Sequence, residues 1–185
     1  MILPIVAYGS NVLRSACKEI DSSYSNLDQL IDNMFETMYA ASGVGLAAPQ
    51  INKSIRLFIV DTSPFKDDES PDHVVCKKIF INPKITSITG ESWSFSEGCL
   101  SIPEVREDVK RLSEITIEYF DKDFNKHTGI YDGLNARVIL HEYDHIEGIL
   151  FVDKISPLRK RMIKGKLKDI SNGTLNANYL IRSFK

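Results

Sequence analysis

Two histidines one helical turn apart, with a glutamate between them, are the strongest chemical signal in the sequence. The stretch reads HEYDH from His141 to His145, and residues four positions apart lie on one face of a helix. Two such imidazoles can bind one metal ion, and Glu142 can carry protons for a water molecule that the ion activates. The histidines also continue an apolar line that begins with Leu134 and Val138. Because buried histidines need partners, this pattern favours a metal site over two surface histidines.

A catalytic metal site usually has three protein ligands, so a third ligand must be found. Glu147 is too close to fold back onto the same ion, and after it only aspartates such as Asp153 and Asp169 remain. Upstream, Cys99 in the run EGCLS has unusual neighbours, and Gly98 lets the backbone come close to an ion or a substrate. A thiolate is also a better ligand for zinc or ferrous iron than a distant aspartate. Cys99 is therefore the candidate third ligand, with a nucleophile or a core cysteine as the weaker alternatives.

Residues 42–50, SGVGLAAPQ, form a second unusual stretch. It does not match a dinucleotide-binding loop, because it follows a helix, lacks a third glycine and runs into Pro49. Gly43 can be explained as a helix stop. The two alanines that follow would let the backbone lie against a ligand, and Gln50 could donate a hydrogen bond into a site.

Helices are predicted on both sides of the central part of the chain. Residues 25–42 carry apolar side chains at helical spacing, with Ser25 as the expected cap and Gly43 as the stop. Residues 133–148 form the helix of the histidine pair, with Asp132 as its expected cap. A basic helix is expected over residues 156–171.

The segments between these helices read as strands. Residues 54–61 and 77–86 are rich in β-branched and aromatic residues, and residues 114–131 alternate around a turn, which predicts a hairpin. The acidic residues 62–72 are expected to form an exposed loop. The order predicts an α+β fold, with antiparallel or mixed β-sheets around a central metal-binding helix and an N-terminal and a C-terminal helix. We expect one domain over residues 1–185.

Composition excludes several classes of protein. Of the 185 residues, 43% are hydrophobic and 26% are charged, and the formal net charge of −2 gives no general attraction to nucleic acid or to an anionic membrane. No apolar run approaches the roughly 20 residues that span a bilayer, and the N-terminus does not read as a signal peptide. The three cysteines are few and odd in number, which argues against disulfides, and Cys17 and Cys76 are expected in the core. These features predict a cytoplasmic protein.

Three segments together resemble the peptide deformylases. That family carries Gly-φ-Gly-φ-Ala-Ala-x-Gln, Glu-Gly-Cys-Leu-Ser and His-Glu-x-x-His in this order, where φ is apolar, and this chain has GVGLAAPQ, EGCLS and HEYDH. Asp144 also agrees with the family, and the similarity runs from ILPIVAYG to GILFVDKIS. Leu140 stands where the family often has Gln, which affects only a local contact. The resemblance implies nothing for the stretch after about Asp169.

The resemblance implies a hydrolase that removes the N-formyl group from the initiator methionine of new polypeptides and releases formate. Its partners would be N-formylmethionyl nascent peptides. It implies one divalent metal ion on Cys99, His141 and His145, with ferrous iron as the usual native metal and zinc or nickel as alternatives.

The implied mechanism gives roles to further residues. Glu142 takes the proton of the attacking water and delivers it to the leaving amine. The Gln50 side-chain amide and the Leu100 backbone N–H, together with the metal, hold the developing oxyanion. Glu97 and Arg111 are expected to form an ion pair that fixes the Cys99 loop, unless Arg111 is simply a solvated charge.

By the same resemblance, the substrate backbone would pair like a strand with the segments around two glycines, and its methionine side chain would enter an apolar pocket. The expected substrate-binding residues are Val44, Gly45, Glu97, Gly98, Leu134 and Val138, with His141 beside them.

A second hypothesis is a binding module with a structural zinc ion and the basic stretch RKRMIKGKLK as an RNA or ribosome contact. A closed structural site would want four ligands, and only three are convincing. A basic helix is more often a solvated face, and no membrane or sequence-specific nucleic acid is expected as a partner. Ribosome contact through this helix is compatible with a deformylase.

Overall fold

A five-stranded antiparallel sheet and the helix that packs on it position the candidate site. The computed structural model describes residues 1–66, 72–174 and 177–183. Its strands and longer helices are, in chain order, β1 (Ile5–Val6), α1 (Leu27–Ala40), β2 (Gly45–Ala47), β3 (Leu57–Asp61), β4 (Lys77–Cys99), β5 (Ile102–Phe120), β6 (Lys126–Asp132), α2 (Gly133–Ile146), α3 (Pro157–Met162), α4 (Lys164–Ser171) and β7 (Ile181–Arg182). The α+β class and the central position of the histidine helix are confirmed.

The large sheet has the order β2-β3-β4-β5-β6, and every neighbouring pair is antiparallel. The predicted strands and the hairpin with its turn after Phe120 are confirmed. The prediction for residues 77–86 was too short, because β4 continues to Cys99 and pairs along its length with β5. Much of this added part exposes polar side chains, so its sequence lacks the apolar alternation that marks a half-buried strand.

Helix α2 lies against the sheet through an apolar face. Ala136 and Ile139 are fully buried and share a core cluster with Phe58 and Phe80, whose rings stack at a centroid distance of 4.7 Å. This packing stabilises the helix far more than propensity alone could. Asp132 occupies the predicted N-cap position, although its side chain makes no cap hydrogen bond.

Helix α1 begins and ends differently from the prediction. Its N-cap is Asn26, in the left-handed region with φ of 58°, and not Ser25. The helix ends at Ala40, and the left-handed residue after it is Ser42 with φ of 56°, so Gly43 does not make the turn. Gly43 instead allows close packing, because a Cβ there would lie 2.8 Å from Leu100 Cδ1.

The predicted C-terminal helix is two helices, α3 and α4, which meet at Ile163. Ser156 caps α3, with its hydroxyl accepting a hydrogen bond from the Arg159 backbone N–H at 3.3 Å. In the described part of the chain, no helix is long and apolar enough to cross a membrane.

The acidic stretch expected to be an exposed loop is partly buried. Thr62 is fully buried, and its hydroxyl accepts a hydrogen bond from the Cys76 backbone N–H at 2.8 Å. Residues 63–65 form a short 3₁₀ helix, and residues 67–71 lie outside the described residues. Cys17 and Cys76 are both buried, as predicted.

Gly148 is needed where the chain leaves α2. Its φ is +73°, and an added Cβ would lie 2.8 Å from the backbone carbonyl of Arg14. We expect Gly148→Ala to lower the free energy of unfolding by about 3 kcal/mol, of which about 1 is the left-handed conformation and about 2 the displaced backbone. Gly133→Ala is the matched control, since Gly133 has φ of +50° with nothing within 4 Å, and should lose only about 1 kcal/mol. Equal losses in urea unfolding of the two variants would contradict the steric part of this account.

Candidate metal centre

Cys99 reaches the site because the β4–β5 ladder is irregular at its end. Gly98 pairs with Arg106, whereas Cys99 pairs with Ile102, so the register shifts between these neighbouring residues. Such irregularities bend a strand and redirect its side chains. Because alternate residues of a strand face the same side, Glu97 also points towards α2.

Three side chains expected to be metal ligands lie together. The ligand atoms of Cys99, His141 and His145 are all within 4.8 Å of one another, and Cys99 Sγ is 3.2 Å from His145 Nε2. Among the described residues no fourth His, Cys, Asp or Glu joins this group. The two imidazoles come from successive turns of α2, with ring centroids 5.1 Å apart. One sulfur and two imidazole nitrogens at this spacing fit a divalent transition-metal ion.

A buried charge cluster holds these ligands from behind. Arg111 donates two hydrogen bonds to the Glu97 carboxylate, at 2.7 and 2.9 Å, and a third to Asp144 at 2.6 Å. Glu97 Oε1 also accepts a bond from Arg137 at 3.0 Å, and its Oε2 lies 3.0 Å from His141 Nδ1. An ionised carboxylate only accepts, so Nδ1 carries the proton and His141 Nε2 is free for a metal. The predicted Glu97–Arg111 ion pair is thus present, and Arg111 is not a solvated charge.

The electrostatics of the cluster favour a cation at the ligand group. Burial raises the pKa of Glu97, but hydrogen bonds from Arg111 and His141 outweigh it and bring that pKa well below its usual range. Burial lowers the pKa of His141, but its bonds to Cys99 and Glu97 bring it well above its ordinary value. The surroundings therefore favour positive charge at His141, and a metal ion on Nε2 would take the place of the second ring proton. Burial, reinforced by the charge of His141, lowers the pKa of His145 and keeps its imidazole neutral.

Glu142 lies beside these ligands, and one of its carboxylate oxygens is buried without a hydrogen-bond partner among the described residues. It is 4% exposed, and its Oε2 atom has no hydrogen-bond partner within the described structure. Burial raises its pKa to about 7. Gly45 makes room for it, because a Cβ on Gly45 would lie 2.5 Å from Glu142 Oε1. A buried carboxyl of this kind can exchange a proton near neutral pH.

Gln50 is fixed beside the thiol. Its Oε1 accepts a hydrogen bond from the Ala47 backbone N–H at 2.8 Å, which orients the amide group. Its Nε2 then points to Cys99 Sγ at 3.4 Å and to Ser101 Oγ at 3.3 Å. The amide donor is therefore held at the ligand group.

A cavity of about 740 Å³ opens onto these groups. The sequence-predicted residues that line it are Val44, Gly45, Gln50, Glu97, Gly98, Cys99, Leu100, Val138, His141 and Glu142. Leu134 is not among the lining residues and lies one turn before Val138 at the start of α2, so its place in the methionine pocket stays a prediction. Arg111 is not in the lining and contacts the site through Glu97, which is.

Sequence reasoning missed several residues of the cavity. Arg137 is 3% exposed, lines the cavity and lies 4.4 Å above the Trp93 ring, with Phe95 on the same strand face. The sequence does carry a signal for Arg137, because a charged residue one turn before His141 lies on the buried face of the helix. Tyr179 also lines the cavity, but it comes from the far end of the chain and no local pattern points to it.

Comparisons with known proteins agree with this geometry. A family model described as polypeptide deformylase matches residues 2–161. A peptide deformylase of Christiangramia forsetii is 58% identical, with 98% of this chain and 96% of that protein covered. One of Flavobacterium psychrophilum is 57% identical, with 98% and 97% covered.

Solved structures agree as well. Arabidopsis thaliana peptide deformylase 1B in complex with an inhibitor superposes with a TM-score of 0.82 at 32% identity, covering 92% of this chain and 91% of that one. The sequence matches span most of the chain at high identity, and the structural match shows the same fold. The chain belongs to the peptide deformylase family, the metal-dependent hydrolases that remove the N-formyl group from new polypeptides and release formate.

Proposed function

We propose that the chain deformylates the N-terminal methionine of nascent peptides at a metal centre held by Cys99, His141 and His145. The observation that carries this proposal is that their ligand atoms lie within 4.8 Å of one another, and that Cys99 and His141 line the same cavity as Glu142. We further propose ferrous iron as the native ion, with zinc and nickel as alternatives, since a thiolate with two imidazoles suits each of them. The ion would act as a Lewis acid towards the attacking water and the formyl oxygen.

Glu142 is the proton carrier in this proposal. A carboxyl with a pKa near 7 can take a proton from the attacking water and return it to the leaving amine at neutral pH. Its unpartnered Oε2 leaves an acceptor free for that water. The close approach of Gly45 keeps the carboxylate in place.

Two donors would stabilise the negative charge on the formyl oxygen. The Gln50 amide is already oriented by the Ala47 N–H, with its Nε2 directed at the ligand group. The Leu100 backbone N–H, next to Cys99, is the second donor. Preorganised donors of this kind accelerate acyl-group hydrolysis because they bind the transition state more tightly than the substrate.

The substrate would enter as an added strand. β2 is an edge strand of the five-stranded sheet, so the backbone around Gly45 can pair with an extended peptide. The methionine side chain would lie in the cavity near Val44, Val138 and His141, and Gly98 would leave room for the peptide on the opposite side. A single catalytic domain over residues 1–185 and a cytoplasmic location, where nascent chains are made, are part of the proposal.

Ribosome contact is proposed through the basic face of α3 and α4. Arg159 is engaged by Glu107 at 2.7 and 2.9 Å and Lys160 by Asp153 at 3.0 Å, so these two are poor candidates. The cations left for a ribosomal phosphate are Arg161, Lys164 and Lys168, which are exposed. Salt-dependent cosedimentation with ribosomes should therefore weaken when these three are neutralised, and an unchanged profile would remove this contact.

The function is tested by anaerobic purification, metal analysis and an assay on a formyl-methionyl tripeptide. We expect formate release that stops when a chelator removes the metal and returns with ferrous iron. A cysteine nucleophile would need no metal, so activity that survives complete metal removal would contradict the proposed centre. Metal-loaded protein without formate release would contradict the proposed reaction.

Glu142→Gln should separate metal binding from chemistry. The amide keeps the size that fits beside Gly45 but cannot carry the proton, so kcat should fall at least about 100-fold while the bound metal stays stoichiometric. Glu147→Gln is the matched control, because Glu147 follows the same helix and pairs with Arg56 outside the cavity. Near-normal turnover of metal-loaded Glu142→Gln would end the proton-carrier role.

A further inference from the structure

The C-terminal segment, residues 177–183, folds back to the active-site end of the molecule. β7 in this segment pairs in parallel with β1, with Ile181 opposite Ile5 and Arg182 opposite Val6. Backbone hydrogen bonds from Ile5 N–H to the Leu180 carbonyl at 2.9 Å and from Ala7 N–H to the Arg182 carbonyl at 2.8 Å hold it there. The family model ends at residue 161, so this segment lies beyond the part that defines the family.

Tyr179 extends from this segment into the catalytic cavity. Residues 177–179 are among those that line it. The Tyr179 hydroxyl donates a hydrogen bond of 2.7 Å to the Leu100 backbone carbonyl. Leu100 is the residue whose N–H is proposed to bind the formyl oxygen, so the hydroxyl acts on the same residue from the opposite side of its Cα.

Cys99, the last residue of β4, and the two loop residues that follow it are each held by a separate contact. Cys99 lies against His145 and Gln50. The Ser101 carbonyl accepts a hydrogen bond of 2.8 Å from the Tyr8 N–H, just after β1. The contact that completes this series, at Leu100, comes from Tyr179. The N-terminal segment therefore bonds the loop through Tyr8 and β7 through β1, so that it and the C-terminal segment contact the residues on both sides of Leu100.

We propose that Tyr179 is a positioning residue for deformylation, which holds the Leu100 carbonyl and so keeps the adjacent Leu100 N–H directed at the formyl oxygen. The inference rests on the proposed function and adds to it a residue from the C-terminal segment. A donor that is fixed before the reaction stabilises the transition state without reorganisation, whereas a donor on a loose loop must first be ordered. The hydroxyl should therefore affect turnover more than substrate binding.

Tyr179→Phe tests this role because it removes the hydroxyl and keeps the ring. We expect kcat on a formyl-methionyl tripeptide to fall about three- to tenfold, the effect of losing one hydrogen bond, with KM changed less than about twofold. Bound metal per chain and the thermal midpoint should stay close to those of the wild type. Tyr39→Phe is the matched control, since it removes a phenol hydrogen bond of 2.6 Å to Asp61 outside the cavity, and it should leave kcat unchanged.

Three outcomes would overturn the inference. The first is an active wild type with kcat of Tyr179→Phe equal to that of Tyr39→Phe. The second is a loss of metal from Tyr179→Phe with normal kcat per bound metal, because the hydroxyl would then serve Cys99. The third is a wild type that releases no formate when metal-loaded, which removes the proposed function together with the inference.

A second variant tests whether Tyr179 acts on kcat only when residues 177–183 are docked through β7. Ile181 packs on the hydrophobic cluster that includes Val6 and Phe151, so Ile181→Asp should release β7 from β1 in the full-length chain. It should lower kcat by about the same three- to tenfold factor, and adding Tyr179→Phe should lower it no further, because both changes break one contact. Multiplying effects in the double variant would contradict the proposal.

Discussion

The Glu97 carboxylate accepts hydrogen bonds from Arg111, Arg137 and His141 in the interior, and the geometry of the proposed metal centre depends on it. Through His141 it sets which imidazole nitrogen faces the ligand group. Through Arg111 it is tied to Asp144 on α2, so the helix with the histidines and the strand with Cys99 are joined by charge as well as by packing. The distances among the three ligands follow from this connection.

Such a cluster is costly to bury and costly to break. Two carboxylates, Glu97 and Asp144, face two guanidinium groups, Arg111 and Arg137, and Asp144 also pairs with Lys154. Removing one member would leave an uncompensated charge in the interior, which typically costs about 3–5 kcal/mol. An apolar replacement of the whole cluster could be as stable, but it could not orient His141. The buried charges are therefore explained by the site they hold.

The sequence predicts the candidate metal ligands better than it predicts the strands and helices that hold them. His141, His145 and Cys99 follow from local spacing and from the chemistry of ligands, and the strands follow from apolar alternation. The exposed length of β4 and the break at Ile163 carry no such pattern. Tyr179 reaches the cavity through a contact between distant segments, which one sequence read locally does not contain, whereas Arg137 has a local signal in its place one turn before His141.

The central claim is that the Glu97 carboxylate keeps the ligands in their metal-binding arrangement. The most direct test is the metal affinity of Glu97→Gln, measured by competition with a chelator of known affinity under anaerobic conditions. The amide keeps the shape but loses the charge that faces Arg111 and His141, so the dissociation constant should rise about 10–100-fold. A folded Glu97→Gln protein with unchanged metal affinity would contradict the account.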